Sequence, residues 1–327
     1  EQSPKRLILA PGNYGLDYLA QNYPELHEIP IVKVSNFIGE ALDMAAAEHF
    51  AEVLLVGHVG KLVKVAGGIM NPHSRMRDDD WEDYVKDIAE LGKKWDVVFR
   101  QSHLPYYDIF ADNDEEKVKI MEELIRRSII ASAELGVEWT VTHPGTVYSA
   151  GPDMNISLEH NLEYYSKHIR TARECGIGIA LENDFEYRSA PYQRIFCANV
   201  HELVELVDSF NDPKHVGVCY DFGHGNLGGP FHRQNLNIIG SRLHAIHVQD
   251  NHGMSDEHLL PFHGNINWQE AMEGLADIDY DGDLTYEIQE FGRYFPNDQK
   301  HLVVEYSLKV GKVLVDMFEK AKAGKGK

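Results

Sequence analysis

The chain is poor in cations and cysteine and has no long apolar run. Lys and Arg total 31 against 52 Asp and Glu, a formal net charge of −21. Such a surface repels nucleic acid unless a local basic groove overrides the field, and the sequence shows no such groove, so no nucleic-acid partner is expected. No apolar stretch approaches the ~20 residues that cross a bilayer, so no membrane partner is expected either. The three cysteines, Cys175, Cys197 and Cys219, lack Cys-x-x-Cys spacing and cannot pair completely. That argues against a disulfide framework and fits a reducing cytoplasm. Glu1 to Lys5 show no secretory-signal pattern, which also leads to the expectation of a cytoplasmic protein. Gly57-His58-Val59-Gly60-Lys61 lacks the spacing of a phosphate-binding loop and is left as a candidate anion-holding turn.

What is present is a large apolar fraction, 43% of 327 residues, arranged in alternating elements. Helical spacing runs over about Trp81 to Trp95, Asp114 to Leu135, Ser157 to Cys175, Val200 to Phe210, Trp268 to Ala276 and Gln299 to Ala321. Between these lie apolar runs at Val97 to Phe99, Val137 to Val141, Ile177 to Leu181, Val216 to Tyr220, Leu243 to Val248 and Leu284 to Ile288. Strands alternating with helices of this length form parallel βαβ units. Before them, 6–10, 31–34 and 53–57 read as strands, Pro11 to Gly15 as a turn and Asn36 to His49 as a helix. The Pro72 to Asp80 stretch reads as an exposed loop or linker.

Each apolar run in the regular part leads to a residue able to hold a proton or a metal. They are His103, His143, Glu182, Asp221, His247 and Glu287, at spacings of 40, 39, 39, 26 and 40 residues. About this length makes one βα unit of a barrel, whose active site lies at the C-terminal ends of the strands. Any one of these residues could cap a helix or brace a loop. Six in succession at matched positions point to a shared mouth. Three carboxylates pressed together there would raise one another's pKa unless a cation offset the repulsion, and a divalent metal held by carboxylate oxygens and imidazole nitrogens does that. His224, three residues past Asp221, and the loop Asp250-Asn251-His252 to Asp256-Glu257-His258 add further candidates.

From about Asp78 onward the chain resembles the xylose-isomerase-like TIM barrels, the superfamily of sugar-phosphate isomerases and epimerases that includes endonuclease IV. The resemblance lies in Gln101-Ser102-His103-Leu104-Pro105-Tyr106-Tyr107, Thr142-His143-Pro144-Gly145, Leu181-Glu182-Asn183, Cys219-Tyr220-Asp221-Phe222-Gly223-His224, His247-Val248-Gln249-Asp250 and Tyr286-Glu287. It covers about three quarters of the chain. It implies a parallel (β/α)8 TIM-type barrel of α/β class and one divalent metal ion (Mn, Mg, Co or Zn) on Glu182, Asp221, His247 and Glu287. Glu182 and Glu287 would also transfer protons, and His224 would contact substrate oxygens together with His103 and His143. The expected substrate is a small sugar, a ketose or sugar phosphate, isomerised or epimerised through a cis-enediolate. In the endonuclease IV branch the implied set grows to nine residues and three zinc ions, adding His103, His143, His224, Asp256 and His258. The chain carries all nine. The −21 charge argues against DNA as the substrate.

The first 76 residues depart from that family. Ile31 to Asp43, Val53 to Leu62 and Asn71 to Ser74, with Pro11 to Gly15, resemble a fragment of the cobalt-precorrin C-methyltransferase of anaerobic cobalamin synthesis. Only a fragment is present, so methyl transfer is not carried over. A natural fusion and an engineered chimera both fit, as does a catalytically inactive scaffold that keeps the metal site. The expected organisation is an N-terminal segment, 1–77, completing or flanking the barrel. The barrel body follows at 78–321 and a disordered Lys-rich tail at 322–327. Two of the three N-terminal strands are expected to close the barrel. The sequence is compatible with a homo-oligomer.

Overall fold

The computed structural model describes residues 5–10, 13–34, 38–56, 81–106, 110, 115–151, 153–186, 194–296 and 299–325. The candidate anion-holding turn at Gly57 to Lys61 and the linker at Pro72 to Asp80 lie outside them. The chain forms two compact units, Glu1–Val97 and Val98–Lys327.

The first unit contains β1 (Arg6–Ala10), α1 (Asn13–Asn22), β2 (Ile31–Lys33), α2 (Ile38–Ala47), β3 (Glu52–Leu55) and α3 (Trp81–Trp95). Its strands make a parallel sheet in the order β2-β1-β3. β1 is the central and most apolar strand. Leu7 and Leu9 pack with Val34, Ile38 and Ala45 in a small core. Two of these three strands were expected to join the barrel; among the described residues they pair with one another, with β1 in the middle and Ile8 opposite both Ile31 and Leu54. Helix α1 begins at Asn13, inside the span Pro11 to Gly15 expected to be a turn.

The second unit runs β4 (Gln101–His103), α4 (Glu115–Glu134), β5 (Trp139–Thr142), α5 (Met154–Cys175), β6 (Gly178–Glu182) and α6 (Val200–Ser209). It continues with β7 (Val216–Asp221), α7 (Phe222–Gly228), α8 (His232–Ile239), β8 (Leu243–Val248), α9 (Trp268–Asp277), β9 (Thr285–Tyr286) and α10 (Lys300–Gly324). The six strands pair in parallel and in chain order, β4 to β9. The sheet curls until its edges face each other: Thr285 Oγ1 donates to Gln101 Oε1 at 3.2 Å, and Arg100 Nε lies 3.8 Å from Asp283. This is a nearly closed TIM-type barrel of α/β class, with six barrel strands among the described residues.

Strand periodicity decides what faces inward. Ile179, Leu181, Val218, Tyr220, Ile246 and Val248 point out to the helices and form the main core with Leu203, Leu206, Ile169 and Trp268. Their alternates, Ala180, Cys219 and Ala245, line the interior with Val141. The next inward positions up those strands are Glu182, Asp221 and His247. At the bottom of the interior Trp139 stacks on His244, ring centroids 3.9 Å apart and 7° from parallel. Gly178 and Gly217 make room for that pair, since a Cβ at either would run into the Trp139 or His244 ring.

Three further details differ from expectation. The fourth strand is Gln101–His103 rather than Val97 to Phe99. Its ladder begins opposite Trp139, and Val97 and Val98 are 52% and 67% exposed. Helix α8 was not anticipated. The Lys-rich end is helical to Gly324, and Lys325 Nζ donates to the Asp277 carbonyl at 2.6 Å. No helix among the described residues is long and apolar enough to cross a membrane.

Candidate metal centre

Glu182 is the hub of the barrel mouth. It is the last residue of β6, fully buried, and its two oxygens face different groups. Oε2 lies 3.4 Å from His103 Nε2 and 3.3 Å from His143 Nε2. Oε1 lies 3.0 Å from His247 Nδ1 and 3.4 Å from His224 Nδ1. His247 Nδ1 is also 3.0 Å from Glu287 Oε2 and 4.0 Å from Asp221 Oδ2. The ligand atoms of Glu182, Asp221, His247 and Glu287 all lie within 4.8 Å of one another, and so do those of His103, His143 and Glu182.

The strand ends explain this convergence. Asp221 ends β7, opposite His247 on β8, and it caps helix α7 by accepting the His224 N–H at 2.6 Å. Asn183 locks β7 to β6. Its Oδ1 accepts the Asp221 N–H at 2.7 Å, and its Nδ2 donates to the Asp221 carbonyl at 3.1 Å. Asp256 and His258 arrive from the loop after β8. That loop is pinned by buried Asp250, whose carboxylate accepts the backbone N–H of Phe262 and Ile266 and the Trp268 indole N–H at 2.9, 3.2 and 2.9 Å. His258 sits at φ 47, in the left-handed region, and its Nε2 is 2.7 Å from Asp256 Oδ2. Asp256 in turn lies 3.6 Å from His224 Nε2.

Three of the imidazoles are oriented alike. Nδ1 of His103 donates to the Leu104 carbonyl at 2.7 Å, that of His224 to Asn183 O at 2.9 Å, and that of His258 to Glu287 O at 3.1 Å. A backbone carbonyl on Nδ1 fixes the ring and aims the opposite nitrogen at the site, as in metal-binding histidines.

Electrostatically the site wants a cation. Burial pushes the Asp221 carboxyl up to about 7. Burial would also raise Glu182, yet the imidazoles of His143, His247 and His103 hold it well below the usual carboxylate range. Burial likewise opposes charge on His224 and His247. The Asp221, Asp256 and Glu182 carboxylates overcome it at His224, and Cys219 and Glu182 do so at His247, raising both well above the usual imidazole value. Protonated imidazoles therefore hold the acids together when no metal does. A divalent ion seated there would do the same work and displace those protons.

The donor set fits such an ion. Its atoms are of the right kind, three carboxylates and an imidazole, and they already lie within 4.8 Å of one another. Glu182 Oε2 and His143 Nδ1 are buried without a hydrogen-bond partner. Buried polar atoms are rarely left so, and an ion would use the carboxylate oxygen.

All nine residues singled out from the sequence meet at this mouth. His252, from the same loop as Asp256, does not: it pairs with Glu257 at 3.0 Å on the surface. Sequence reasoning gave no role to Gln249, whose Nε2 donates to Asp221 Oδ1 at 3.3 Å and Asp256 Oδ1 at 2.6 Å. The available signal was its position two residues past His247, on the same strand face. Above the ligands opens a cavity of about 630 Å³, where Tyr106, Tyr148 and Phe185 face Asp184, Gln289 and Glu287. No lysine or arginine lines it among the described residues.

A family model described as a xylose isomerase-like TIM barrel matches residues 65–306. An uncharacterized protein of Methanocaldococcus jannaschii, MJ1311, is 32% identical over 207 residues, 62% of this chain and 68% of that one. The cobalt-precorrin-5B C(1)-methyltransferase of Alkaliphilus metalliredigens is 34% identical over 119 residues, 36% of this chain and 29% of the enzyme. The chain thus spans less than a third of that methyltransferase. Among solved structures, a D-tagatose 3-epimerase-like protein is 27% identical at a TM-score of 0.60, covering 74% of this chain and 85% of that one. IolI, solved with a zinc atom, shares the fold at 16% identity and a TM-score of 0.56, covering 87% and 94%.

Proposed function

Because the chain belongs to the xylose-isomerase-like TIM barrel family, whose solved neighbours include sugar epimerases, we propose that it is a divalent-metal-dependent epimerase or isomerase of a ketose or related polyol. The observation that carries this reading is the pair of glutamates on β6 and just past β9. Both reach His247 Nδ1 at 3.0 Å within one ligand set. A metal held by Glu182, Asp221, His247 and Glu287 would polarise a carbonyl and its neighbouring hydroxyl and acidify the C–H between them.

The chain's own groups supply the rest. Glu287, which lines the cavity, and Glu182, beneath it, are the proton-transferring pair: one removes the proton to give a cis-enediolate and the other returns it. Return to the opposite face gives epimerisation, and return to the adjacent carbon gives isomerisation. The Nε2 edges of His103, His224 and His258 and the Asp184 carboxylate offer hydrogen bonds to hydroxyls. The Tyr106, Tyr148 and Phe185 rings offer apolar faces for sugar C–H groups. Among the described residues the walls bear acids and no lysine or arginine, which favours an uncharged sugar over its phosphate and disfavours nucleic acid.

Glu182→Gln and Glu287→Gln should each lower kcat/KM by roughly 10²–10⁴-fold, with loss of solvent-deuterium exchange at the reacting carbon, measured across a panel of free ketoses with added Mn²⁺. Turnover intact in both variants removes the reading.

A second reading is favoured by the chaining of three groups through shared or neighbouring carboxylates: His103–His143–Glu182, Glu182–Asp221–His247–Glu287 and His224–Asp256–His258. Such a chain of groups would suit phosphodiester hydrolysis on three zinc ions. Elemental analysis separates the readings. Three zincs per chain with cleavage of abasic duplex DNA supports the second, and one metal without cleavage supports the first.

A further inference from the structure

Cys219 has no part in either reading, yet it lies at the edge of the ligand set. It pairs directly with Glu182 across the β6–β7 ladder and points into the barrel one layer below Asp221 and His247. Its Sγ, a Glu182 oxygen and a His247 nitrogen lie within 4.8 Å of one another, and all three residues are buried. The interior around the thiol is otherwise Val141, Ala180 and Ala245, which offer no competing donor.

The geometry points to a second, mutually exclusive seat for a thiophilic divalent cation on Glu182, Cys219 and His247. Two of the three ligands are shared with the oxygen-rich set, and the third changes its chemistry. Asp221 and Glu287 present oxygens suited to Mg²⁺ or Mn²⁺, whereas a thiolate selects Zn²⁺ or Cd²⁺. A soft ion therefore settles one layer deeper, bonds to sulfur and releases the thiol proton to solvent. Its bonds to Glu182 and His247 withdraw both residues from the upper set, so the identity of the metal decides which seat is filled. The inference rests on side-chain placement rather than on any reaction, and its readout is spectroscopic. It stands or falls apart from the epimerase reading.

The test is titration of the chelator-treated full chain with Cd²⁺, read by the ultraviolet thiolate-to-cadmium charge-transfer band. The band should appear in the wild-type protein and persist in the Cys175→Ser/Cys197→Ser double variant, where Cys219 is the one remaining thiol. It should be lost in Cys219→Ala with the circular dichroism spectrum unchanged, and excess Mn²⁺ should suppress it by occupying Glu182 and His247. Absence of the band in the wild type or double variant overturns the proposal, as does its survival in folded Cys219→Ala. A band that Mn²⁺ leaves untouched overturns the shared seat. Should Cys219→Ala fail to fold, the double variant decides alone.

Discussion

His232 shows what one buried side chain costs when its surroundings give it little in return. It is fully enclosed, its Nδ1 meets the Tyr220 hydroxyl at 3.1 Å, and its Nε2 has no partner. Burial drives its pKa down to about 4. The folded value is depressed, so the unfolded chain binds the proton more readily once the pH falls below about 6.5. Stability is therefore full above that pH and is lost as the pH falls toward 4, by about 3 kcal/mol from this group. His232→Leu should flatten the dependence of Tm on pH over that interval, whatever it does to Tm at neutral pH. A slope unchanged in the variant would assign the acid lability elsewhere. Little of this could be read from the sequence. His232 carries no periodic or motif signal, whereas His103, His143, Glu182, Asp221, His247 and Glu287 stood out because strand ends recur at barrel spacing. Cys219 and Gln249 were passed over for a related reason. Their roles depend on which face of the strand they occupy, and that shows only once the register is fixed.

At the level of elements, the loop between β8 and α9 is the least autonomous part of the mouth. Asp256 and His258 reach the centre because Asp250 gathers three donors from 12 to 18 residues further along, together with the Asn251 N–H at 2.9 Å. Asp250→Ala would leave those buried donors unmet and should destabilise the protein by about 3 kcal/mol or more, measured by urea unfolding. If Asp250 does no more than decorate the loop, the loss will stay under about 1 kcal/mol. The alternation of strands and helices was legible because each is long enough to show its period. Strand β4 was misplaced by a few residues because Val97 and Val98 are apolar but unpaired, and propensity alone does not specify a partner. The pairing of β1 with both β2 and β3 was hidden for the same reason: edge choice is a tertiary decision, which the apolar character of β1 alone does not make.

On the scale of the whole molecule, 52 acids set against 31 bases leave a protein strained by its own charge, most of all where carboxylates converge. A divalent ion that binds the folded state and not the unfolded one should raise the apparent stability by about 2.7 kcal/mol at a hundredfold excess over its Kd. That corresponds to a rise in Tm of several degrees, read by differential scanning fluorimetry with and without chelator. No shift with any of Mg²⁺, Mn²⁺, Co²⁺ or Zn²⁺ would remove the metal from the account. The Trp139 and His244 rings stack at the base of the barrel. On the proposed function a metal on the ligand set would lie between that stack and the cavity that Glu287 lines, with a sugar bound above it. Saturating substrate should then slow the stripping of metal by chelator, so that occupancy of the cavity protects the ion beneath it.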